Sequence, residues 1–316
     1  MQTRENEVTM VVQQIMDQVR RAVVGKDATL LWVLAAILAR GHILLEDIPG
    51  VGKTTMALAF SKTLDLKYSR VQFTPDVLPS DITGYSVPDP QTGELRYQPG
   101  AVISNLFLAD ELNRATSRTQ SALLEAMEEG QVTVDGVSRP VPRPFMVIAT
   151  QNPVGASGTQ KLPDSQLDRF LLRLSMGYPT EQEELELLRR RQYGQAMDGV
   201  ERVVDREQLE QMCLAAGRVH VSESIMQYII RLVNATRKHP QLLQGASPRA
   251  TLAVTAASRS VAFLRNRDYV VPEDVQTIWV DAVAHRLLLV PGAERSVSAV
   301  EIARAALRAA EAPKIS

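Results

Sequence analysis

The chain has 316 residues, of which 45% are hydrophobic, and this length predicts a sizeable core divided between two domains. The formal net charge of -1 argues against bulk electrostatic attraction to nucleic acid or to an anionic membrane. Cys213 is the only cysteine, which excludes an intrachain disulfide, and the four histidines lack the spacing of metal ligands. The polar N-terminus is not a signal peptide, and the most apolar run, residues 30–39, is about half the length of a transmembrane helix. We therefore expect a cytoplasmic protein without a transmembrane segment.

Helical and strand-like patterns alternate from the start of the chain. Apolar residues at helical spacing predict a helix over residues 5–21, and a second helix is expected to run to residue 40 with Asp27 as its cap. The short apolar run at 42–46 predicts a buried strand that leads into a glycine loop, and from Lys53 onward the pattern is helical again. Strand, glycine loop and helix in this order are the context of a phosphate-binding loop.

Further along the chain, the sequence predicts four more strands, at residues 68–73, 105–111, 145–152 and 170–176. Residues 117–130 predict a helix that ends at a glycine, and Asp135-Gly136 predicts a hairpin turn. Apolar strands that alternate with helices indicate an α/β fold in which helices cover both faces of a parallel sheet. Residues 181–316 show helical patterns and little that reads as strand. We therefore expect an α/β domain (1–178), a linking segment (179–193) that begins near Pro179, and an all-α domain (194–316).

The segment EDIPGVGKTT, residues 46–55, nearly matches the phosphate-loop pattern G-x-x-x-x-G-K-[ST] but carries Asp47 in place of the first glycine. In such a loop, backbone N–H groups point at the phosphates, and Gly50 and Gly52 allow this close approach. Lys53 supplies a positive charge for the β and γ phosphates, and the Thr54 hydroxyl coordinates Mg²⁺. Position 47 lies where the strand gives way to the loop, so its side chain need not face the phosphates. The alternative, a lone lysine at a helix N-terminus, is unfavourable without an anion.

Polar residues follow the third and fourth predicted strands. Asp110 can hold Mg²⁺ through water, and Glu111 can orient the attacking water or accept its proton. The alternative is a pair of solvated acids at the end of a strand. Asn152 can hydrogen-bond the γ-phosphate or position the water, although an asparagine before Pro153 is also typical of a turn.

Two arginines are candidates for contact with phosphate. Arg169 precedes the fifth strand, where it could act as an arginine finger on a neighbour's γ-phosphate; a salt bridge to Asp168 or another acid is the alternative. Arg249 lies in the first turn of a helix opened by Ser247-Pro248, so it opposes the helix dipole and requires an anionic partner. Either a nucleotide phosphate or a surface carboxylate would serve.

These segments together resemble the MoxR-type AAA+ ATPases over about residues 7–290. The resemblance rests on LLEDIPGVGKTT, RVQFTPDVLPSDITGY, LADELNRATSRTQSALLEAMEEGQVTVDG, IATQNPVG, LPDSQLDRFLLRL and GASPRA. In this family, aspartate is usual at the leading position of the phosphate loop. The resemblance implies a phosphate-loop αβα core with a five-stranded parallel sheet, followed by a small all-α lid. It also implies an insert hairpin at about 79–102 and a hairpin before the first sensor at about 131–145. Gln160-Lys161 depart from the family pattern at no catalytic position.

The resemblance implies a role for each matching position. Val24 and Gly25 belong to the adenine side, and Asp110 and Glu111 are the metal-binding and catalytic acids. The nucleotide loop comprises Pro49, Gly50, Val51, Gly52, Lys53, Thr54 and Thr55. Asn152 is the first sensor, Arg169 the finger supplied to the adjacent subunit, and Arg249 the second sensor on the lid. Arg114 also matches a family position, where it would brace the subunit interface.

The function that the resemblance implies is that of an ATP-hydrolysing motor with Mg²⁺ as cofactor. Such a protein would form a homo-oligomeric, hexameric ring and would remodel, activate or load metal into a client protein, with a von Willebrand factor A domain partner. A DNA-acting ring ATPase is one alternative, in which Arg139, Arg143 and Lys161 would line a pore, but a pI near 6.5 counts against it. A nucleotide-gated scaffold with little hydrolysis is another, and the intact catalytic positions argue against it.

Overall fold

The structure is a computed structural model that describes residues 2–152, 162–193 and 197–314. Its helices are α1 (Gln2–Ala22), α2 (Asp27–Leu38), α3 (Lys53–Thr63), α4 (Pro79–Thr83), α5 (Ser117–Glu129), α6 (Asp164–Leu167), α7 (Glu181–Tyr193), α8 (Arg206–Gly217), α9 (Glu223–Arg237), α10 (Pro248–Leu264), α11 (Pro272–Val283) and α12 (Ala299–Ala309). Its strands are β1 (Ile43–Glu46), β2 (Tyr68–Gln72), β3 (Gly84–Pro88), β4 (Leu95–Pro99), β5 (Leu106–Asp110), β6 (Gln131–Val134), β7 (Val137–Pro140), β8 (Met146–Gln151), β9 (Leu172–Leu174), β10 (Leu242–Gln244) and β11 (Leu288–Leu289).

A parallel sheet of five strands forms the centre of the α/β part, in the order β2-β5-β8-β1-β9. The five predicted strands are therefore confirmed, and the prediction of a parallel sheet is confirmed with them. Every residue of the central strand β8 is buried, as the continuous apolar run predicts. Because the strands are parallel, the residues that follow β1, β5 and β8 meet at one edge of the sheet.

Helices cover both faces of this sheet, because successive side chains of each strand point to opposite faces. Ile43 and Leu45 of β1 pack with α1, α2 and α3, whereas Leu44 packs with α5 on the other face. Apolar side chains of the helices that follow residue 197 belong to the same hydrophobic core as Ile43 and Leu45. Trp279 of α11 is fully buried there, and its indole N–H donates to the carbonyl of Ala303 at 2.8 Å.

Two helix boundaries differ in how well the sequence predicts them. The helix over 117–130 is confirmed: Thr116 caps its N-terminus, and Gly130 ends it with φ of 63°. The prediction that Asp27 caps α2 is wrong. Lys26, with φ of 66°, precedes the helix, and Asp27 is its first residue, where it accepts a hydrogen bond from Arg20 Nε at 2.8 Å. Asp27 therefore pairs with Arg20 of α1 and does not cap α2.

Two antiparallel hairpins project from the α/β part. One consists of β3 and β4 and the other of β6 and β7, whose turn holds Asp135 and Gly136 at positive φ, as the sequence predicts. The hairpins touch: the Arg139 guanidinium lies 4.1 Å from the centre of the Tyr97 ring. Arg139 also donates to the carbonyls of Val134 and Val137, both at 2.9 Å. Within the described residues, no helix has the length and apolar character required to cross a membrane.

Candidate functional site

The phosphate loop joins β1 to α3 at the edge of the sheet described above. Gly50 and Gly52 have φ of 87° and 93°, a region in which residues with a side chain are strained. A Cβ at Gly50 would meet no atom within 4 Å, so the loop backbone borders open space there. Lys53 is the first residue of α3, and its buried ammonium donates to the carbonyl of Asp47 at 2.9 Å. The lysine is thereby held across the loop.

The Asp47 carboxylate turns toward the chain that follows β9. It accepts hydrogen bonds from the Ser175 hydroxyl at 2.6 Å, from the Met176 amide at 2.7 Å and from the Gly177 amide at 2.9 Å. Only 5% of Asp47 is exposed. The residue that breaks the phosphate-loop pattern therefore ties the start of that loop to the segment leading into α7.

A cavity of about 800 Å³ opens beside the loop. Predicted nucleotide contacts line it: Val24, Pro49, Gly50, Val51, Gly52 and Thr55. The opposite wall consists of Tyr178, Pro179 and one face of α7, so the predicted linking segment is a helix that forms part of this cavity. The volume is in the range that accommodates a nucleotide.

Gly25 lies at the junction of the N-terminal helices and α7. Its φ is 68°, and a Cβ at this position would collide with the Glu183 carboxylate. Glu183 is held in place by Lys26 at 3.3 Å and by the Thr180 amide at 2.7 Å. A glycine is therefore required here both by backbone conformation and by the close approach of α7.

Thr150 of β8 connects the two predicted acids at the end of β5. Its hydroxyl donates to Asp110 Oδ1 at 2.7 Å and accepts a hydrogen bond from the Glu111 amide at 2.8 Å. The other Asp110 oxygen accepts from Arg70 of β2 at 2.7 Å. Glu111 has a positive φ of 56°, which this bridge helps to hold.

The Glu111 carboxylate has two partners. Arg114 Nη1 donates to one oxygen at 2.8 Å, and the Asn152 amide donates to the other at 3.1 Å. The Arg114 guanidinium lowers the pKa of Glu111, and the amide of Asn152 adds to that effect. The structure thus brings the predicted catalytic acid and the predicted first sensor into direct contact, and it places Arg114 on Glu111 of its own chain.

The charges at this edge of the sheet interact. Burial lowers the pKa of Lys53, and the carboxylates of Asp47, Asp110 and Glu111 oppose that effect. The lysine, the loop glycines and the two strand-end acids therefore lie near one another, as their positions after parallel strands predict. Thr54 follows Lys53 in the first turn of α3 and is half-buried.

Arg169 and Arg249 do not line the phosphate-loop cavity. They meet instead at Glu128 of α5, where Arg169 Nη1 lies 2.9 Å from Glu128 Oε2 and Arg249 contacts Oε1. Both arginines also line a second cavity of about 350 Å³. Arg249 therefore has the anionic partner that its place in the helix requires, and that partner is a carboxylate of this chain. Arg169 pairs with Glu128 and not with its neighbour Asp168.

Asp168 has a different set of partners on the wall of the second cavity. Arg286 Nε donates to it at 2.9 Å, and the Ser247 hydroxyl, which caps α10, donates to it at 3.0 Å. Burial lowers the pKa of Arg286 to about 10, although Asp168 acts in the opposite direction. The pairing of buried Arg286 with Asp168 and the Ser247 hydrogen bond together fix the start of α10 against the α/β part.

The residues around the loop fit a nucleotide with Mg²⁺. Open space beside glycine backbone, a buried lysine and a cavity of sufficient volume suit a nucleotide triphosphate. A hydroxyl and a carboxylate, from Thr54 and Asp110, are oxygen ligands of the type that Mg²⁺ prefers, with phosphate oxygens completing the shell. Within the described ranges, no cluster of three or more His, Cys, Asp or Glu side chains suggests another metal site.

Sequence reasoning missed several residues of this site. Glu128 was a detectable case, because an acid in the last turn of a helix opposes the dipole and requires a cation. Thr150 was detectable as a hydroxyl that follows four apolar residues in a buried strand. Arg70 gave no signal, since its pairing with Asp110 depends on the order of strands in the sheet. The segment with Gln160-Lys161 and Pro153 lies outside the described residues.

Comparison with known proteins agrees with this geometry. The model of the ATPase family associated with various cellular activities (AAA) matches residues 42–172, and that of the AAA lid domain matches residues 234–308. A Bacillus subtilis protein, YeaC, is 44% identical over 94% of this chain and 93% of its own length. Chaperone MoxR1 of Mycobacterium tuberculosis is 40% identical over 86% of this chain and 74% of its own length.

One solved structure extends the similarity to the whole fold. A candidate ATPase from Cytophaga hutchinsonii superimposes with a TM-score of 0.92, covers 99% of this chain and 98% of its own, and is 37% identical. Both the α/β sheet and the helices after residue 197 therefore have counterparts in a single related chain.

Proposed function

This chain belongs to the MoxR-type AAA+ ATPases, and from that premise we propose that it hydrolyses ATP in an oligomeric ring to remodel or activate a client protein. The observation that carries the proposal is the convergence of Lys53, Asp110, Glu111 and Asn152 at one edge of the sheet, beside the glycine loop. Each residue supplies a group that phosphoryl transfer to water requires.

We assign a role to each residue of the site from its contacts. The loop amides and Lys53 bind the phosphates, and Glu111, oriented by Asn152, accepts a proton from the attacking water. Thr54 and Asp110 would hold Mg²⁺, which neutralises charge on the phosphates when it is bound. Arg70 pairs with Asp110, so its guanidinium would share that carboxylate with a bound metal.

Arg169 and Arg249 act, in this proposal, on the nucleotide of an adjacent subunit. Their common contact with Glu128 places them on one surface, away from the phosphate-loop cavity of their own chain. A nucleotide phosphate would replace the carboxylate as their anionic partner. Val24 and Gly25 would bound the adenine, since Val24 lines the cavity and Gly25 packs beside it against α7.

The remaining parts of the proposal rest on membership in the family. We place the α/β core at residues 1–178, the link at 179–193 and the lid at 194–316. The ring would be a cytoplasmic hexamer, and the client would be recognised together with a protein that carries a von Willebrand factor A domain; metal loading is one form of such activation. A nucleic acid is not part of the proposal, because Arg139 is engaged by Tyr97 and two carbonyls.

The test is the Mg²⁺-dependent ATPase rate per subunit as the protein concentration rises. We expect the rate to climb with assembly in the wild type and to stay low and flat in Arg169→Ala. Glu111→Gln should bind ATP without turning it over. Two results together would refute a site shared between subunits. The wild-type rate per subunit would stay constant over a range in which assembly changes, and Arg169→Ala would have the same rate. Undiminished hydrolysis by Glu111→Gln would refute the role of that residue.

A further inference from the structure

Helix α7 is fixed against the N-terminal part of the chain by a set of polar contacts. Arg190 Nη1 donates to the carbonyls of Arg20 and Arg21, both at 2.8 Å, at the end of α1. The Lys26 ammonium donates to the carbonyl of Tyr178 at 2.7 Å and pairs with Glu183. The wall that α7 contributes to the phosphate-loop cavity is therefore held at both of its ends.

One face of α7 lines the cavity. Glu184, Leu187 and Arg191 are spaced by three and four residues, which places them on the same side of a helix, and all three border the space beside Gly50 and Gly52. Leu187 is 43% exposed, so the apolar part of this face is open to the cavity rather than covered by protein.

The charged groups of this wall differ in their partners. Lys26 and Arg190 are engaged by carbonyls and carboxylates of the chain. Arg191 is exposed and makes no hydrogen bond or ion pair with any part of the chain that the structure describes. Glu184 is the one carboxylate among the residues of this wall, and the other two cations have carboxylate partners of their own, so Arg191 is the cation that stays unpaired within the described residues.

From this arrangement we infer that Arg191 is a nucleotide-binding residue, which contacts the phosphate groups from the α7 side of the cavity. An unpaired guanidinium beside a glycine loop attracts an anion, and its five donors suit phosphate oxygens. The inference rests on the proposed function, since it presupposes that the cavity binds a nucleotide. It adds a contact from the segment between core and lid, where the sequence pattern predicted only a link.

Titration of the full-length protein with ADP, which is not hydrolysed, tests this inference by calorimetry. Arg191→Ala should raise the Kd for ADP about fivefold to tenfold, and Arg191→Lys, which retains the charge, should recover most of the affinity. Arg189→Ala is the matched control, because Arg189 is an exposed arginine of the same helix that does not line the cavity. It should bind ADP as the wild type does.

The outcomes separate the inference from the proposed function. If the wild type binds ADP and Arg191→Ala matches it within twofold, the inference is overturned while the proposed function stands. The inference is also overturned if Arg191→Ala and Arg189→Ala weaken binding equally, or if Arg191→Lys is as weak as Arg191→Ala. Failure of the wild type to bind ADP at all would overturn the proposed function itself. Unchanged urea unfolding midpoints would confirm that the arginine variants are folded.

Discussion

Replacing Asp47 with glycine would restore the leading residue of the general phosphate-loop pattern, and we predict that it destabilises the protein. The carboxylate accepts three hydrogen bonds, from Ser175, Met176 and Gly177. In Asp47→Gly the Met176 amide would remain buried without an acceptor. The other two donors are partly buried and can turn in part toward water.

The size of the effect follows from these three donors. An unsatisfied buried amide costs about 1–3 kcal/mol, and a donor that keeps access to water costs less. Glycine adds about 0.5–1 kcal/mol through the greater freedom of the unfolded chain. We therefore expect Asp47→Gly to lower the free energy of unfolding by about 3 kcal/mol. With a urea m-value of about 3 kcal/mol/M, the unfolding midpoint should fall by about 1 M.

Urea unfolding followed by tryptophan fluorescence measures this change, since the two tryptophans, Trp32 and Trp279, lie in the α/β part and in the all-α part respectively. Ser175→Ala is the matched control. It removes one of the three hydrogen bonds and should cost about 1 kcal/mol or less. A midpoint for Asp47→Gly within about 0.3 M of the wild type, or a loss in Ser175→Ala as large as in Asp47→Gly, would refute the reasoning.

Three further predictions concern the cavity, the catalytic edge and pH. Gly25→Ala should lower the free energy of unfolding by about 1–2 kcal/mol, because its φ is positive and the new Cβ collides with Glu183; thermal unfolding measures this, and an unchanged midpoint would contradict it. Thr150→Val removes the acceptor of the Glu111 amide and should lower the ATPase rate at least about tenfold. Thr150→Ser keeps the hydroxyl and should have a rate near that of the wild type. Equal rates in the two variants would argue against a role of the Thr150 hydroxyl in holding Glu111. Burial lowers the pKa of His42 to about 4 from 6.5, so the unfolded chain binds the proton first as the pH falls. Stability should therefore decline between pH 6.5 and 4, with at most about 3 kcal/mol from this residue, and His42→Gln should show a shallower decline by urea unfolding. A profile in the variant as steep as in the wild type would exclude that contribution.

The elements of the α/β sheet were predictable mainly because most of its strands are short apolar runs bounded by polar or glycine residues; β2, which is largely polar, is the exception. The convergence of Lys53, Asp110 and Asn152 was predictable for the same reason, since side chains that follow parallel strands meet at one edge. What the sequence did not disclose are pairings between distant segments. The contact of Arg249 with Glu128 joins residues 121 positions apart, and only the packing of α10 against the α/β part creates it.

The sequence also did not predict where the segment 179–193 lies in the fold. The change of composition indicated a link, and seven of the thirteen residues of α7 are charged. Its place against the cavity depends on Arg190 reaching the carbonyl end of α1 and on Lys26 reaching Glu183. Neither contact follows from helical periodicity, because both partners lie more than 150 positions away.

The contact between Arg139 and Tyr97 joins the two hairpins into one projecting unit. The Tyr97 hydroxyl donates to the carbonyl of Thr83 at 2.6 Å, so this unit is also attached to the short helix α4. Arg139 also donates to the carbonyls on either side of the β6–β7 turn, which fixes its guanidinium. Because the contact between Arg139 and Tyr97 would have to break before the hairpins could separate, we expect a load on one hairpin tip to be shared by the other.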